Sequence, residues 1–328
     1  MKFDLIPQKL FLKYEWKISR NSSFFKENYY LKLIDQNGSF LSEIAPNIRY
    51  GETPERIEQD LDRIKNGLTP LCHSFENAYE NIRLKSMLTE SKKTFNQELG
   101  TDLSSKFQTS ISIPIMPVEK LEEYIETVKN FNIFKIKING TSSNKFLTKI
   151  FHLLPNKKFR IDANESFTNL EDYKQFEKLC ANHDIEFIEQ PFPAQNRELY
   201  LKLKPISSFI LIADESVEQN LNSDICEQFH GINIKLMKAG GLQRALDLVY
   251  QAKKQNLKLM LGCMIESSLG ISEALLIAHH FDFLDLDGAI LLKDDPYKDL
   301  ILVDNDLLQI NVGVHQLHEH VHGPTLLL

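Results

Sequence analysis

Three acidic residues in the middle of the 328-residue chain recur at nearly constant spacing. Asp162, Glu189 and Asp214 are separated by 27 and then 25 residues, and each follows a short apolar run. If these runs are neighbouring strands, the three anions converge, and they repel one another unless a cation lies between them. Because no His or Cys is placed to help, the all-oxygen donor set predicts Mg²⁺ rather than Zn²⁺. The alternative is three unrelated surface acids or salt-bridge partners.

Two lysines flank these acids along the chain. Lys137 precedes Asp162 by 25 residues, and Lys235 follows Asp214 by 21. A lysine beside another cation in a partly desolvated site has a lowered pKa and can act as a base near neutral pH. Lys135 shares a strand face with Lys137 and would lower its pKa further. The alternative is that these lysines bind an anion passively.

A metal ion between two amines suits proton removal from a carbon next to a carboxylate. Such a carbon acid is very weak, and the enediolate that it forms carries two negative charges on oxygen, which a divalent metal stabilises. One base on one face gives elimination or proton exchange. Two bases on opposite faces permit inversion, since one removes the α-proton and the other returns it from behind.

Eight short apolar or β-branched runs alternate with helix-like stretches and carry these side chains at their ends. Their starts lie about 21 to 27 residues apart, which is enough for a strand, a turn, a helix and a second turn. This rhythm predicts a (β/α)₈-type barrel with its site at the carboxyl ends of the strands. An open doubly wound sheet is the alternative, although no GxGxxG follows the first run. The runs are 109–115, 133–138, 158–163, 185–190, 209–214, 231–236, 257–262 and 283–288.

Other polar residues lie at the same strand ends, where any one of them alone would be an ordinary solvated loop residue. They are Asn164, Glu215, Met264, Glu266, Asp285 and Asp287.

The N-terminal part of the chain follows a different pattern. Residues 1–50 alternate apolar and polar side chains around a hairpin turn at Gln36-Asn37-Gly38, and residues 53–98 have helical spacing. Strands followed by helices predict a separate α+β domain. We expect this domain to span residues 1–107 and to be completed by the C-terminal tail, about 301–328, with the barrel at 108–300.

Composition excludes several classes of function. A formal net charge of −7 argues against nucleic acid binding, and no apolar stretch reaches the length of a signal peptide or a membrane helix. The four cysteines lie far apart without zinc-site spacing, as in a reduced, cytoplasmic protein. We expect a homo-oligomer, and we interpret the histidines of 315–323 as a solvated surface segment.

An ordered set of short motifs resembles the enolase superfamily, in particular its muconate-lactonizing-enzyme subgroup. The motifs are KxK at 135–137, DxN at 162–164, EQP at 189–191, DES at 214–216 and NIKLMKAGG at 233–241. The resemblance implies an α+β capping domain joined to a modified (β/α)₇β barrel of the TIM type. It also implies Mg²⁺ on the three acids and an acid/base pair of lysines. Both Lys235 and Lys238 are candidates for the second base, and we choose Lys235 because it directly ends its strand.

Within this subgroup, three features resemble dipeptide epimerases. One is GCMIES at 262–267, which contains Met264 and Glu266, and another is Asp285-Leu286-Asp287. The resemblance implies that these aspartates bind the ammonium group of a dipeptide, which an N-acylamino acid racemase or an o-succinylbenzoate synthase would not need. The third is the segment 18–23, similar to a mobile loop in which an arginine, here Arg20, pairs with a glutamate side chain.

These features imply a Mg²⁺-dependent dipeptide epimerase that uses Lys137 and Lys235. L-Ala-D/L-Glu from cell-wall peptide turnover is the first-choice substrate because of Arg20, and hydrophobic dipeptides are the second choice. The alternatives are another activity of the same superfamily (a cycloisomerase, a syn-dehydratase, an o-succinylbenzoate synthase or an N-acylamino acid racemase) and a non-catalytic barrel that binds Mg²⁺.

Overall fold

The first part of the chain forms a three-stranded antiparallel sheet followed by three helices. The computed structural model describes residues 1–17 and 22–312. The elements are β1 (Lys2–Lys17), β2 (Ser22–Asp35), β3 (Gly38–Ile44), α1 (Pro54–Lys65), α2 (His73–Ser91) and α3 (Phe95–Leu99). The predicted hairpin is present, since Asp35 pairs with Gly38 and the Asp35 carboxylate accepts the amide of Asn37 at 2.8 Å. Helix α1 begins at Pro54, after the Thr53 hydroxyl accepts the amide of Arg56.

This sheet, which we call the cap sheet, is covered on both faces. Successive side chains of β2 point to opposite faces. Tyr29 and Leu31 pack with α1 and α2, whereas Tyr30 packs into the core of the second domain. Asn28 shares the face of Tyr30 and donates to the carbonyl of Ile265 at 2.9 Å. One face of β2 therefore looks into the rest of the molecule.

The second part of the chain forms the predicted parallel barrel. All eight expected strands are present, and they pair in chain order. They are β5 (Ile111–Ile113), β6 (Ile133–Lys137), β7 (Lys158–Asp162), β8 (Asp184–Glu189), β9 (Leu211–Ala213), β10 (Gly231–Lys235), β11 (Lys258–Gly262) and β12 (Phe283–Asp285). The amide of Ser110 donates to the carbonyl of Leu284 at 3.2 Å and links the first strand to the last.

The connecting helices cover the outside of the barrel. They are α4 (Leu121–Val128), α5 (Asn144–Leu153), α6 (Leu170–Cys180), α7 (Arg197–Leu203), α8 (Ile225–Gln228), α9 (Leu236–Ala239), α10 (Leu242–Lys254) and α11 (Ser268–Leu275). Among residues up to 312, β12 is followed by a short 3₁₀ turn at Lys298–Leu300 rather than by an α-helix, which confirms the modified (β/α)₇β fold with a cap. None of the helices in the described ranges combines the length and apolarity that crossing a bilayer requires.

The described part of the C-terminal tail forms a hairpin beside the junction of the two predicted domains. Strands β13 (Ile301–Asp304) and β14 (Leu307–Ile310) pair with β4 (Phe107–Gln108) rather than with the cap sheet. Leu308 and Ile310 are buried in the hydrophobic core to which both the cap and the barrel contribute. The histidine segment 315–323 lies outside the described residues. The limits of the two domains, and the assignment of the tail to the cap, stay a prediction.

Candidate active site

A cavity of about 620 Å³ lies where the carboxyl ends of the barrel strands meet the cap sheet. Several side chains predicted from the sequence line it from the barrel side: Lys135, Lys137, Asn164, Asp214, Glu215, Lys235, Met264, Asp285 and Asp287. From the cap side, Trp16, Lys26, Arg49 and Tyr50 face the same space. The fold therefore gathers residues that are up to 271 positions apart in the chain around one opening.

Strand register explains why the acids and lysines converge. Lys137, Asp162 and Glu189 are direct partners across β6, β7 and β8, so their side chains point to the same side of the sheet. Glu189 pairs with Ile212 of β9, and Asp214 lies two residues further on, which returns it to that side. The predicted alignment of the three acids is thus a consequence of unbroken parallel pairing at this end.

Lysine ammonium groups contact all three carboxylates. The Nζ atom of Lys135 lies 2.7 Å from Glu189 Oε2 and 3.3 Å from Asp162 Oδ2. The Nζ atom of Lys137 lies 2.5 Å from the same Asp162 oxygen. On the other side, Lys235 Nζ lies 2.8 Å from Asp214 Oδ2. All three carboxylates are buried, so these contacts offset a large desolvation cost.

The charges around the three acids are unequal. Burial raises the pKa of Asp162, but Lys137 and Lys135 outweigh it and hold the pKa below its ordinary value. Burial and the nearby charge of Asp162 raise the pKa of Glu189 above its ordinary value, despite Lys135. Of the three carboxylates, Glu189 therefore has the least nearby positive charge to offset its burial.

Lys235 and Lys238 both contact Asp214, but in different ways. Lys238 is buried beneath the site, and its Nζ donates to Asp214 Oδ1 at 2.5 Å, to the Asp214 carbonyl at 2.7 Å and to the Val217 carbonyl at 3.0 Å. With its protons engaged, Lys238 holds the chain in place. Lys235 instead lines the cavity, which supports the choice of Lys235 as the candidate base.

The charges beside Lys235 are anions. Burial lowers the pKa of Lys235, but the attraction of Asp214 and then Glu189 outweighs burial and raises it above its ordinary value. The Asp214 contact is at 2.8 Å. The lowered lysine pKa that the sequence predicts requires a cation beside the amine and stays a prediction.

The three acids fit a divalent cation in their chemistry. As the side chains stand in residues 1–17 and 22–312, no three acidic, His or Cys groups are close enough together to hold an ion, and a lysine ammonium lies against each carboxylate. The donors are nevertheless all oxygen, as Mg²⁺ prefers. Because the Lys135 ammonium contacts both Asp162 and Glu189, one cation can contact two of these acids.

Three residues outside the predicted set of site residues position the acids. Gln190 Oε1 accepts the backbone amides of Asp214 at 2.9 Å and Ser216 at 3.2 Å, which ties the end of β8 to the end of β9. Asn233 Nδ2 donates to Glu189 Oε1 at 2.8 Å. Lys238 is the third. Gln190 lies within the EQP motif and Lys238 within NIKLMKAGG. The motifs therefore pointed to both residues, but they did not indicate which groups the side chains contact.

Asn164 and Glu215 flank the acids as the sequence predicted. The backbone amide of Asn164 donates to Asp162 Oδ1 at 2.9 Å, which orients that carboxylate. The side-chain amide of Asn164 lies 3.4 Å from Glu215 Oε1. Both residues line the cavity.

Asp285 and Asp287 differ in charge state although they are two residues apart. Asp285 Oδ2 lies 2.7 Å from Lys135 Nζ, and this cation outweighs burial and lowers the Asp285 pKa to about 2. Asp287 accepts the amide of Ser112 at 2.7 Å. Burial and the neighbouring Asp285 raise the Asp287 pKa to about 7. A cation in the cavity would therefore be stabilised most by Asp287.

Met264 and Glu266 point in different directions. Met264 lines the cavity, whereas Glu266 does not. The Glu266 carboxylate is buried and accepts the Met264 amide at 2.7 Å, so the prediction that Glu266 contacts the substrate is corrected to a role in shaping this loop. Glu43 of the cap sheet supports the same loop from the other side, because its carboxylate accepts the amide of Ser267 at 3.0 Å.

The cap contributes an arginine near the opening, and it is already paired. Arg49 contacts both carboxylate oxygens of Glu165, at 2.9 and 3.0 Å. Arg20, which the sequence predicts to bind a glutamate side chain, lies outside the described residues.

Comparisons with known proteins identify the family of the chain. The model of the family "Enolase C-terminal domain-like" matches residues 118–311. An L-Ala-D/L-amino acid epimerase of Pedosphaera parvula is 30% identical over 322 residues, which cover 90% of this chain and 92% of that protein. An N-acetyl-D-glutamate racemase of a Pseudoalteromonas species is 32% identical over 269 residues, covering 77% and 84%.

Among solved structures, the chain is similar to an enolase family member from Agrobacterium tumefaciens with homology to dipeptide epimerases. That protein was crystallised with sodium and L-Ala-L-Glu. It is 26% identical, with a TM-score of 0.85, and the match covers 94% of this chain and 97% of the other.

Proposed function

Because the chain belongs to the enolase superfamily and is an isomerase of the epimerase and racemase type, we propose that it inverts the α-carbon of the C-terminal residue of a dipeptide. The proposed reaction is a 1,1-proton transfer between two lysines. L-Ala-D/L-Glu, a product of cell-wall peptide turnover, is the first-choice substrate, and dipeptides with an apolar second residue are the second choice.

Asp162, Glu189 and Asp214 are the residues proposed to hold Mg²⁺. Bound there, the ion would supply positive charge beside the substrate carboxylate, where charge builds up when the α-proton leaves. Lys135 already contacts two of these acids and Asp285, which places a fixed positive charge in the same region. Asn164 and Glu215 are proposed to lie beside the metal ligands and to support them.

Lys137 and Lys235 are proposed to exchange the α-proton from opposite faces. They come from β6 and β10, strands on different sides of the three acids, and both line the cavity. One lysine would accept the proton as an amine while the other, as an ammonium, donates a proton to the opposite face. Trp16 of the cap lies over Lys137, with 5.7 Å between Nζ and the ring centroid, and helps to shield that side from water.

Other parts of the cavity lining suit the ammonium group and the side chains of a dipeptide. Asp285 and Asp287 are proposed to bind the ammonium group, with Asp287 as the principal partner because Lys135 already neutralises Asp285. Met264 offers an apolar wall. Arg20 remains proposed as a partner of an acidic side chain.

One observation carries the proposal: two lysines from separate strands line one cavity, and each contacts a different acid of a buried group of three. A one-base enzyme of this fold would use one of them as the base and the other only electrostatically. The two lysines on opposite sides supply what inversion requires, and the stereochemistry of exchange separates the two reactions.

The test is deuterium incorporation from D₂O into a library of L,L-dipeptides, followed by mass spectrometry and chiral analysis. We expect the wild-type protein with Mg²⁺ to give α-deuterated epimer. Lys137→Ala and Lys235→Ala should each lose epimerisation by several orders of magnitude, since each removes one of two essential proton carriers. At most they should retain exchange on one face.

Lys129→Ala, a change at an exposed lysine of the outer surface, is the matched control and should behave as wild type. Normal epimerisation by either Lys137→Ala or Lys235→Ala would contradict the proposal. Retention of configuration in every deuterated product would favour a one-base reaction instead.

Racemisation of an N-acylamino acid is the second candidate. The observation that favours it is the contact of Asp285 with Lys135 at 2.7 Å, which leaves less negative charge for a substrate ammonium. N-acetyl-L-glutamate belongs in the same assay, because the Pseudoalteromonas relative is an N-acetyl-D-glutamate racemase. Faster turnover of N-acetyl-glutamate than of every dipeptide would select this candidate.

A further inference from the structure

Five basic residues in the described part of the chain line the cavity: Lys26, Arg49, Lys135, Lys137 and Lys235. Arg49 is paired with Glu165, and the three barrel lysines contact the buried acids. Among residues 1–17 and 22–312, Lys26 has neither an ion pair nor a side-chain hydrogen bond. Of these five, it is the cation without an anion among the described residues.

Strand pairing fixes the direction of the Lys26 side chain. Lys26 of β2 pairs directly with Leu10 of β1, and Leu10 is fully buried in the barrel core. Directly paired residues share a face of the sheet, so Lys26 faces the barrel, on the same face as Asn28, which is anchored to the loop beside Met264. Lys26 therefore stands across the cavity from the strand ends.

The position carries an energetic cost. Lys26 is partly buried, and burial lowers its pKa with no acid to offset the effect. A cation in such a place is stabilised by an anion that arrives from outside the protein. The α-carboxylate and the ammonium group of a dipeptide already have proposed partners on the barrel side, which leaves its two side chains. In L-Ala-L-Glu, the first-choice substrate, only the side chain of the inverted residue is an anion.

We propose that Lys26 is a specificity-determining residue that binds a carboxylate on the side chain of the residue being inverted. This inference rests on the proposed function and narrows it to substrates whose second residue is acidic. It assigns the cap strand β2, besides the segment that contains Arg20, a part in substrate selection.

The experiment compares kcat/KM for L-Ala-L-Glu, L-Ala-L-Gln and L-Ala-L-Met in wild type and in Lys26→Met. Loss of one charge-assisted contact should lower the preference for Glu over Gln about ten- to hundredfold, mainly through KM. Lys26→Arg should retain most of the preference, because it keeps the charge. Lys9→Met is the matched control, since Lys9 lies on the outer face with its ammonium over the Phe25 ring, and it should leave the preference unchanged.

Three results would overturn the inference alone: a wild-type enzyme that prefers Gln or Met over Glu, an equal loss for all three dipeptides in Lys26→Met, or a preference that Arg20→Met abolishes and Lys26→Met does not alter. Circular dichroism and the unfolding midpoint of each variant separate loss of fold from loss of selectivity. A wild-type enzyme that turns over none of the dipeptides would reject the proposed function, and this inference with it.

Discussion

A buried ion pair between the cap and the barrel gives the sharpest prediction about stability. Lys85 of α2 and Glu273 of α11 are each 1% exposed, and Lys85 Nζ lies 2.7 Å from Glu273 Oε1 and 2.8 Å from the Leu41 carbonyl. Lys85→Met removes the cation and leaves the carboxylate with donors only on its other oxygen, from Ser42 and Asn81. Breaking one side of such a pair costs about 3–5 kcal/mol.

The loss should depend on pH. Burial already raises the Glu273 pKa above its ordinary value, and Lys85 opposes that shift. Without Lys85 the folded protein holds a proton on Glu273 to higher pH than the unfolded chain does. Stability of the variant is therefore retained near the ordinary pKa and lost as pH rises toward the raised pKa. We expect a larger deficit at pH 8 than at pH 5.

Urea denaturation followed by circular dichroism and by the single tryptophan, Trp16, measures the free energy of unfolding. The double variant Lys85→Met/Glu273→Gln should recover most of the loss, because no unpaired charge remains. A deficit below about 1 kcal/mol in Lys85→Met, or a double variant as unstable as the sum of the singles, would refute the reasoning.

Three more predictions follow from the site and its supports. Gln190→Ala should weaken Mg²⁺ binding about 10- to 100-fold by calorimetry, because it frees the backbone that carries Asp214; unchanged affinity would contradict this role. Chelation with EDTA should abolish exchange of the α-proton and lower the melting temperature, and Mg²⁺ should restore both; full exchange in the presence of EDTA would contradict the proposed metal site. Burial raises the pKa of Glu43 to about 7 and of Glu266 to about 8, so the free energy of unfolding of the wild type should fall from pH 5 to pH 8. Glu43→Gln should make this pH dependence shallower in urea denaturation. The same pH dependence in the variant and the wild type would contradict this prediction.

The sequence predicted the positions of those site residues that lie at the ends of regularly spaced strands. Eight apolar runs predicted eight strands, and the register across β6, β7 and β8 then aligned Lys137, Asp162 and Glu189 without further information. Lys235 was preferred over Lys238 because it ends a strand, and its position in the cavity supports that choice. Periodicity alone suffices here because parallel strands end together.

Contacts between distant segments could not be predicted in the same way. Lys135 contacts Asp285, 150 positions away, so this lysine also neutralises an acid of the last barrel strand. The pairing of the tail with β4 joins segments about 200 positions apart, and no local pattern in the sequence indicates it. Glu266 was assigned to the substrate from its place at a strand end, whereas its carboxylate accepts the adjacent loop amide.

The residues that follow the acids at the strand ends have an unusual backbone conformation. Asn164 and Gln190, each two or fewer residues past an acid, have φ values of 40° and 39°, and Glu165 has 64°. Non-glycine residues adopt this region at a cost of roughly 1–3 kcal/mol. Local hydrogen bonds offset this cost. The backbone amide of Asn164 donates to the Asp162 carboxylate, and the side-chain oxygen of Gln190 accepts the backbone amide of Asp214. A glycine at position 190 would adopt this φ value more easily, but it has no side chain to accept the Asp214 amide. Glutamine therefore positions the Asp214 carboxylate at the expense of a less favourable backbone conformation.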